Sequence, residues 1–139
     1  MGKKRKSFLI VAIFCCLLSG CGRIRTNEPV QLNLVQQIDV SFYKNGIHLQ
    51  RHYTDIDKMD TILLYLYSLS PSGHPEENPE RIRDDSCKIT VVLANGETHV
   101  YRQNGGRYLS VDCQPWQKIN TSKTAALFPL LARMCSDEI

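Results

Sequence analysis

The chain has 139 residues, enough for one domain of ordinary size and too few for two. Hydrophobic residues make up 42% and charged residues 22%, a globular balance that excludes a wholly disordered or collagen-like chain. The formal net charge is +3, but residues 3–6 are all basic and the rest of the chain is close to neutral. A nucleic-acid-binding domain would carry its positive charge in the folded part, so we expect no nucleic-acid partner.

The N-terminus has the charge and hydropathy pattern of a signal peptide. The basic residues 3–6 precede an unbroken apolar run over residues 8–18. As a helix this run would reach only about 16 Å, roughly half of the hydrocarbon core of a bilayer. It therefore fits the apolar region of a signal peptide and is too short for a stable membrane span.

The apolar run ends in Leu18-Ser19-Gly20-Cys21. This segment resembles the lipobox of bacterial lipoproteins, in which an aliphatic residue and two small residues precede an obligatory cysteine. The resemblance implies a diacylglycerol group on the Cys21 thiol and signal-peptidase cleavage between Gly20 and Cys21. It also implies a location at the cell membrane, lipid-anchored on the extracytoplasmic face. The competing interpretation is an uncleaved anchor with an ordinary thiol at Cys21.

On this interpretation the chain divides into a signal peptide at 1–20, a lipidated tether at 21–29 and one domain at 30–139. The domain starts with a strand pattern, since apolar residues fall on even positions from Val30 to Phe42. Asn45-Gly46 then predicts a two-residue hairpin that places Phe42 opposite Leu49.

A helix is predicted next. Thr54 and Asp57 have the spacing of a capping box, and Pro71 ends the helical pattern. The apolar residues at helical spacing are Ile56, Met59, Ile62, Leu63, Leu66 and Leu69. The polar, proline-rich segment 70–85 is predicted to be a long mobile surface loop.

The second half of the domain reads as a three-stranded meander and a helix. A strand over 87–94 turns at Asn95-Gly96, with Val91 predicted opposite Val100, and a further strand covers 108–113. A last helix is expected over 122–134, with Leu127, Phe128, Leu131 and Met134 on one stripe.

Together these elements predict an α+β fold: an antiparallel sheet of about five strands with two helices packed on one face. The layout is similar to that of small, uncharacterised lipoproteins of Gram-positive bacteria. The similarity rests on the helix IDKMDTILLYLYSL, the strand KITVVLANGE and the segment GGRYLSVDCQPWQKI. That group carries no settled activity, so no catalytic residue is implied.

The sequence provides no catalytic or cofactor signature. His48 and His52 have the spacing of a helical zinc site, but on a strand four residues span about 13 Å, too far to share one ion. We therefore predict no metal, no cofactor and no catalytic residue. Cys113 and Cys135 are candidates for a disulfide, and the alternative is that these two and Cys87 are small buried hydrophobic residues.

Two functions remain open, and an unrecognised hydrolase ranks third because no activated nucleophile can be named. The favoured one is a non-enzymatic accessory module that binds another protein of the cell envelope or a wall component, anchored to the membrane by its lipid. The alternative is a lipoprotein that binds a small ligand in a pocket between sheet and helices. For the first, the predicted interaction face is the non-core face of the meander together with Trp116. The meander residues on this face are Lys88, Thr90, Val92, His99 and Tyr101.

Overall fold

The structure, a computed structural model, describes residues 30–81, 85–120, 129 and 131–136. Within them lies one antiparallel sheet of seven strands in the order β2-β1-β4-β5-β6-β7-β3. The strands are β1 (Val35–Lys44), β2 (Ile47–Tyr53), β3 (Pro71–Gly73), β4 (Ser86–Leu93), β5 (Thr98–Asn104), β6 (Tyr108–Val111) and β7 (Gln117–Ile119). Helix α1 spans Ile56–Ser68, and residues 131–136 belong to a second helix, α2. The α+β class and the antiparallel sheet are as predicted.

The sheet has seven strands where about five are predicted, because two short segments pair with each other. Part of the predicted loop 70–85 forms β3 and a short 3-10 helix, Pro79–Arg81. After Pro115 the chain resumes as β7, and Pro71 lies opposite Ile119. A proline is tolerated in β3 because this strand is at the edge of the sheet and needs no amide donor on its outer side.

The first hairpin confirms its prediction. Phe42 lies opposite Leu49, and Asn45 and Gly46 have φ values of 51° and 76°, the two left-handed positions that a type I′ turn requires. The strand, however, begins at Val35, and residues Leu32–Leu34 form a 3-10 helix. The alternating apolar pattern that begins at Val30 therefore starts several residues before the strand itself.

Helix α1 has a different cap from the predicted one. Asp55, not Thr54, is the N-cap, and its carboxylate accepts a hydrogen bond from the Lys58 amide at 3.1 Å. The buried side chains of α1 include four of the predicted apolar residues and also Tyr65, a position that the apolar pattern omits; they are Met59, Ile62, Leu63, Tyr65 and Leu66.

The register between β4 and β5 is one residue away from the prediction. Val91 lies opposite His99, and Leu93 donates its amide to the Glu97 carbonyl, so the loop holds three residues instead of two. Gly96 has a φ of 89° and donates its amide to the Leu93 carbonyl, as in a turn followed by a glycine bulge. A slip of one residue moves every side chain of a strand to the opposite face.

One face of the sheet is covered. A single cluster of buried apolar side chains joins this face to α1 and α2. The Tyr65 hydroxyl of α1 donates to the Gln103 side-chain oxygen on β5, and the Tyr53 hydroxyl of β2 lies 3.6 Å from the Cys135 sulfur of α2. Both helices therefore contact the same, covered face.

Several predicted features lie outside the described residues. They are the signal peptide and tether at 1–29, including Gly20 and Cys21, and the part of the last helix that holds Leu127 and Phe128. Among the helices of the described segments, none is long and apolar enough to cross a membrane.

Candidate interaction face

The face of the sheet opposite the core, called the open face below, carries its side chains in cross-strand rows. The central row crosses five strands, as shown by the register of each strand pair. Its members, from β2 to β6, are Gln50, Ser41, Lys88, Arg102 and Ser110. This row places two hydroxyls and two cations in one line across the middle of the sheet.

A second row runs along one side of the central row. His52 lies opposite Asp39 and holds its carboxylate by a contact of 2.6 Å between the ring Nδ1 and Oδ1. The other oxygen of Asp39 accepts from the Gln37 side-chain amide at 3.1 Å. Both oxygens of this carboxylate therefore have partners on β1 and β2.

The third row lies on the other side and contains His48, Tyr43 and Ser86. The Nε2 atom of His48 is 2.6 Å from the Ser41 hydroxyl, and its ring lies 5.9 Å from the Tyr43 ring, centroid to centroid. Tyr43 is 51% exposed, so an aromatic ring stands in solvent next to polar groups that can form hydrogen bonds.

These rows border two adjoining grooves. A groove of about 420 Å³ is lined by Asp39, Gln50, His52 and Thr90, together with Ser41 and Lys88. A second groove of about 290 Å³ is lined by Tyr43, His48, Ser86 and Trp116, again with Ser41 and Lys88. Because Ser41 and Lys88 line both, the two grooves form one continuous concave surface on the open face.

Lys88 and Arg102 form a cross-strand pair of the closely spaced type. Val100 directs its main-chain amide and carbonyl to Asp112, away from β4. Arg102 follows two residues later and has the same orientation, so Lys88 and Arg102 exchange no main-chain hydrogen bonds and their Cα atoms are about 4.5 Å apart. Two positively charged residues are therefore cross-strand partners at the shorter of the two Cα spacings of an antiparallel pair.

Trp116 covers one side of this pair. Its ring centroid lies 5.2 Å from the guanidinium carbon of Arg102, a cation–π contact, and its indole nitrogen is 3.5 Å from a Glu80 carboxylate oxygen. The neighbouring glutamates are also bonded: Glu77 accepts from the Tyr108 hydroxyl at 2.9 Å, and Glu76 from the Lys118 ammonium at 3.2 Å. The segment around residues 76–80 thus packs against the β5–β7 end of the open face.

The one-residue register shift splits the predicted contact face. Val92 lies on the open face, and Trp116 stacks on Arg102 there. His99 and Tyr101 have the opposite orientation: they share a face with the core residues Val91 and Ile89, which they oppose. The prediction that His99 and Tyr101 lie on the non-core face of the meander is therefore wrong. Burial raises the pKa of the Tyr101 hydroxyl to about 12.

The three described cysteines are free thiols. Cys87 and Cys135 are buried, whereas Cys113 is exposed, so the structure contains no Cys113–Cys135 bridge. The alternative of three small buried hydrophobic residues holds for Cys87 and Cys135 but is wrong for Cys113. Burial raises the pKa of the Cys135 thiol, and burial also raises that of Cys87.

The Ser41–His48 contact has the geometry by which an imidazole can take a proton from a serine nucleophile. A triad also needs an acid on the other ring nitrogen. Among the described residues no carboxylate contacts the other ring nitrogen of His48, and Asp39 on the neighbouring row holds a different histidine, His52. The described residues also contain no group of three His, Cys, Asp or Glu side chains that could hold a metal ion.

The sequence interpretation includes Lys88, Thr90, Val92 and Trp116 in the contact face, but it misses the residues of β1 and Arg102. Asp39, Ser41 and Tyr43 occupy the odd positions of β1, so the predicted alternation already places them together. The Lys88–Arg102 pair requires the β4–β5 register, which depends on the length of the Asn95-Gly96 turn.

No family model, curated protein or solved structure matches the chain.

Proposed function

We propose that this chain is a membrane-anchored extracytoplasmic lipoprotein whose domain is a non-enzymatic interaction module. The open face binds a partner in the cell envelope. The anchor is inferred from the basic residues 3–6, the apolar run and the lipobox that ends in Cys21. The following residues 22–29 would reach about 26 Å when extended, enough to hold the domain just clear of the head groups.

The observation that carries the proposal is the composition of the open face. It combines two adjoining grooves with hydrogen-bonding side chains and with the aromatic rings of Tyr43 and Trp116. Protein interfaces are enriched in aromatic residues and arginine, which supply large contact areas at low conformational cost. The helices contact the opposite face, so they leave these side chains accessible.

The edge of the sheet adds a second contact surface. Among the described strands β2 pairs only with β1. Lys44 and Ile47 close the two-residue turn as a hydrogen-bonded pair, so the main-chain groups of His48, Gln50 and His52 point away from β1. A partner segment in extended conformation can add to such an edge. Ile47, 60% exposed, provides an apolar contact beside it.

The alternative, a lipoprotein that binds a small ligand, is supported by the same two grooves. They lie on the open face, away from the interface between sheet and helices where a ligand pocket is predicted. A ligand would therefore bind among the residues that the favoured function assigns to a protein partner.

The anchor is tested by Cys21→Ala in the full chain. We expect the variant to keep its signal peptide and to lose the mass of the diacylglycerol group, as measured by mass spectrometry of the membrane fraction. A Ser7→Ala variant, which leaves the lipobox intact, is the control. An unchanged mature mass and membrane retention for Cys21→Ala would refute the lipobox interpretation.

The interaction face is tested by photocrosslinking in intact cells. A benzoylphenylalanine at Tyr43, on the open face, should give one specific crosslinked band. The matched control is the same substitution at Tyr67 on α1, which is 43% exposed and lies away from the open face. Equal labelling from the two positions, or no specific band from Tyr43, would contradict the proposed interaction face.

A further inference from the structure

The Lys88–Arg102 pair has an energetic cost that the described residues do not offset with negative charge. Like charges directly opposite each other on neighbouring strands are destabilising. The described part of the chain places no carboxylate in ion-pair contact with either side chain. The nearby acids have other partners, since Asp39 is held by His52 and Gln37, and Glu80 by the Trp116 indole.

Trp116 positions the arginine without neutralising it. Stacking on the ring occupies one face of the guanidinium plane. The N–H groups of a guanidinium lie in its plane and therefore stay available to an oxyanion. Because the ring restricts the arginine, less conformational entropy is lost when a ligand binds.

The groove beside the pair also contains neutral hydrogen-bonding groups. Ser41 and Ser86 line the groove of about 290 Å³ together with Lys88, Arg102 and Trp116. Ser41 is a cross-strand partner of Lys88 as well, so the two side chains leave the same face of the sheet side by side. Two cations and two hydroxyls converge on a space large enough for a small anionic group.

We propose that this groove binds a phosphate group between Lys88 and Arg102. Phosphate fits better than a carboxylate because a phosphate monoester carries a charge of about −1.5 to −2 at neutral pH, which matches two cations, and has three acceptor oxygens. The inference rests on the proposed function for the choice of the open face, and it names the chemistry that this face recognises. The phosphate belongs either to a soluble ester or to a lipid head group.

Trp116 is the only tryptophan of the chain, so its fluorescence reports on this groove. The full chain in a nonionic detergent is titrated with inorganic phosphate, with chloride at equal ionic strength as the reference. We expect a saturable change in Trp116 emission with phosphate only, and isothermal titration calorimetry should give the same dissociation constant. A response equal to that of chloride overturns the proposal.

Charge variants assign the binding to the pair. Lys88→Gln and Arg102→Gln should each weaken phosphate binding by about tenfold or more, because each removes a charge-assisted hydrogen bond. Lys88→Arg should retain binding. The matched control is Lys44→Gln, which removes the same charge on the opposite face of the sheet. Equal affinities for Lys88→Gln and Lys44→Gln would overturn the proposal.

The source of the phosphate is determined with the full chain reconstituted in phosphatidylcholine vesicles, with and without phosphatidic acid. A change in emission that needs phosphatidic acid and Lys88 assigns the site to a lipid head group. A change with soluble phosphate alone assigns it to a soluble ester, and no change in either arm overturns the inference. If the unmodified chain crosslinks through position 43 but responds to phosphate in neither arm, the interaction module stands and only the phosphate site fails.

Discussion

Val91 on β4 lies opposite His99 on β5, and this pairing decides which side chains reach the open face. The three-residue loop before β5 sets the pairing, with Gly96 in the left-handed region at φ 89°. If the loop had two residues, Val91 would oppose Val100, and Lys88 would no longer face Arg102. A single loop residue thus controls the composition of the candidate site.

Gly96→Ala should destabilise the domain by about 1 kcal/mol. An added Cβ meets nothing within 4 Å, so the cost is conformational and comes from the left-handed backbone. Gly106→Ala is the control, because its site is equally open and its φ lies outside the left-handed region. Denaturant unfolding of both variants measures the difference; equal stabilities would contradict the role of Gly96 in this turn.

Part of the fold could be predicted from the sequence because some signals are local. The Asn45-Gly46 turn and the apolar stripe of α1 each depend on a few neighbouring residues, and both are found in the structure. The strands β3 and β7 are only three residues long, too short for a periodic pattern. Their pairing depends on tertiary contacts across the chain, which periodicity does not report.

The candidate site is harder to predict than the fold, because it too depends on pairing between separate parts of the chain. Its central charges come from two strands, and their juxtaposition requires the exact register. Asn95-Gly96 favours a two-residue turn, yet the chain uses Ala94 as a third loop residue. A turn motif therefore located the hairpin correctly but misassigned the faces of His99 and Tyr101.

The cap of α1 gives a second test of stability. Asp55→Ala should lower the free energy of unfolding by about 1 kcal/mol, because it leaves the Lys58 amide without its side-chain acceptor. Thr54→Ala should change stability less, since Asp55 holds the cap position. Thermal unfolding monitored by circular dichroism compares the two; the reverse order would restore Thr54 as the cap.

The described thiols should differ in reactivity. Cys113 is exposed and should react with iodoacetamide in the native protein. Cys87 and Cys135 are buried and desolvation raises the pKa of each, so both stay protonated and react only after unfolding. Peptide mapping without reductant measures each site. A Cys113–Cys135 peptide in that map would contradict the free thiols seen here.

The Lys88–Arg102 pair predicts a gain of stability on mutation. Lys88→Gln removes the repulsion between cross-strand partners while keeping much of the aliphatic stem. We therefore expect the free energy of unfolding to rise by about 0.2–1 kcal/mol at low salt. The gain should shrink at high salt, because counterions screen exposed charges.

Phosphate should reverse the order of stabilities of Lys88→Gln and the unmodified chain, so that the unmodified chain becomes the more stable of the two. A ligand that binds only the folded state stabilises that state. Once the ligand concentration exceeds the dissociation constant, the gain in stability grows with the logarithm of that concentration. Added phosphate should thus raise the melting temperature of the unmodified chain more than that of Lys88→Gln, at constant ionic strength. Lys44→Gln should follow the unmodified chain, because its charge lies on the opposite face. If Lys88 lowers stability without phosphate and raises it with phosphate, it acts in phosphate binding. A lysine with only a structural role would show neither effect.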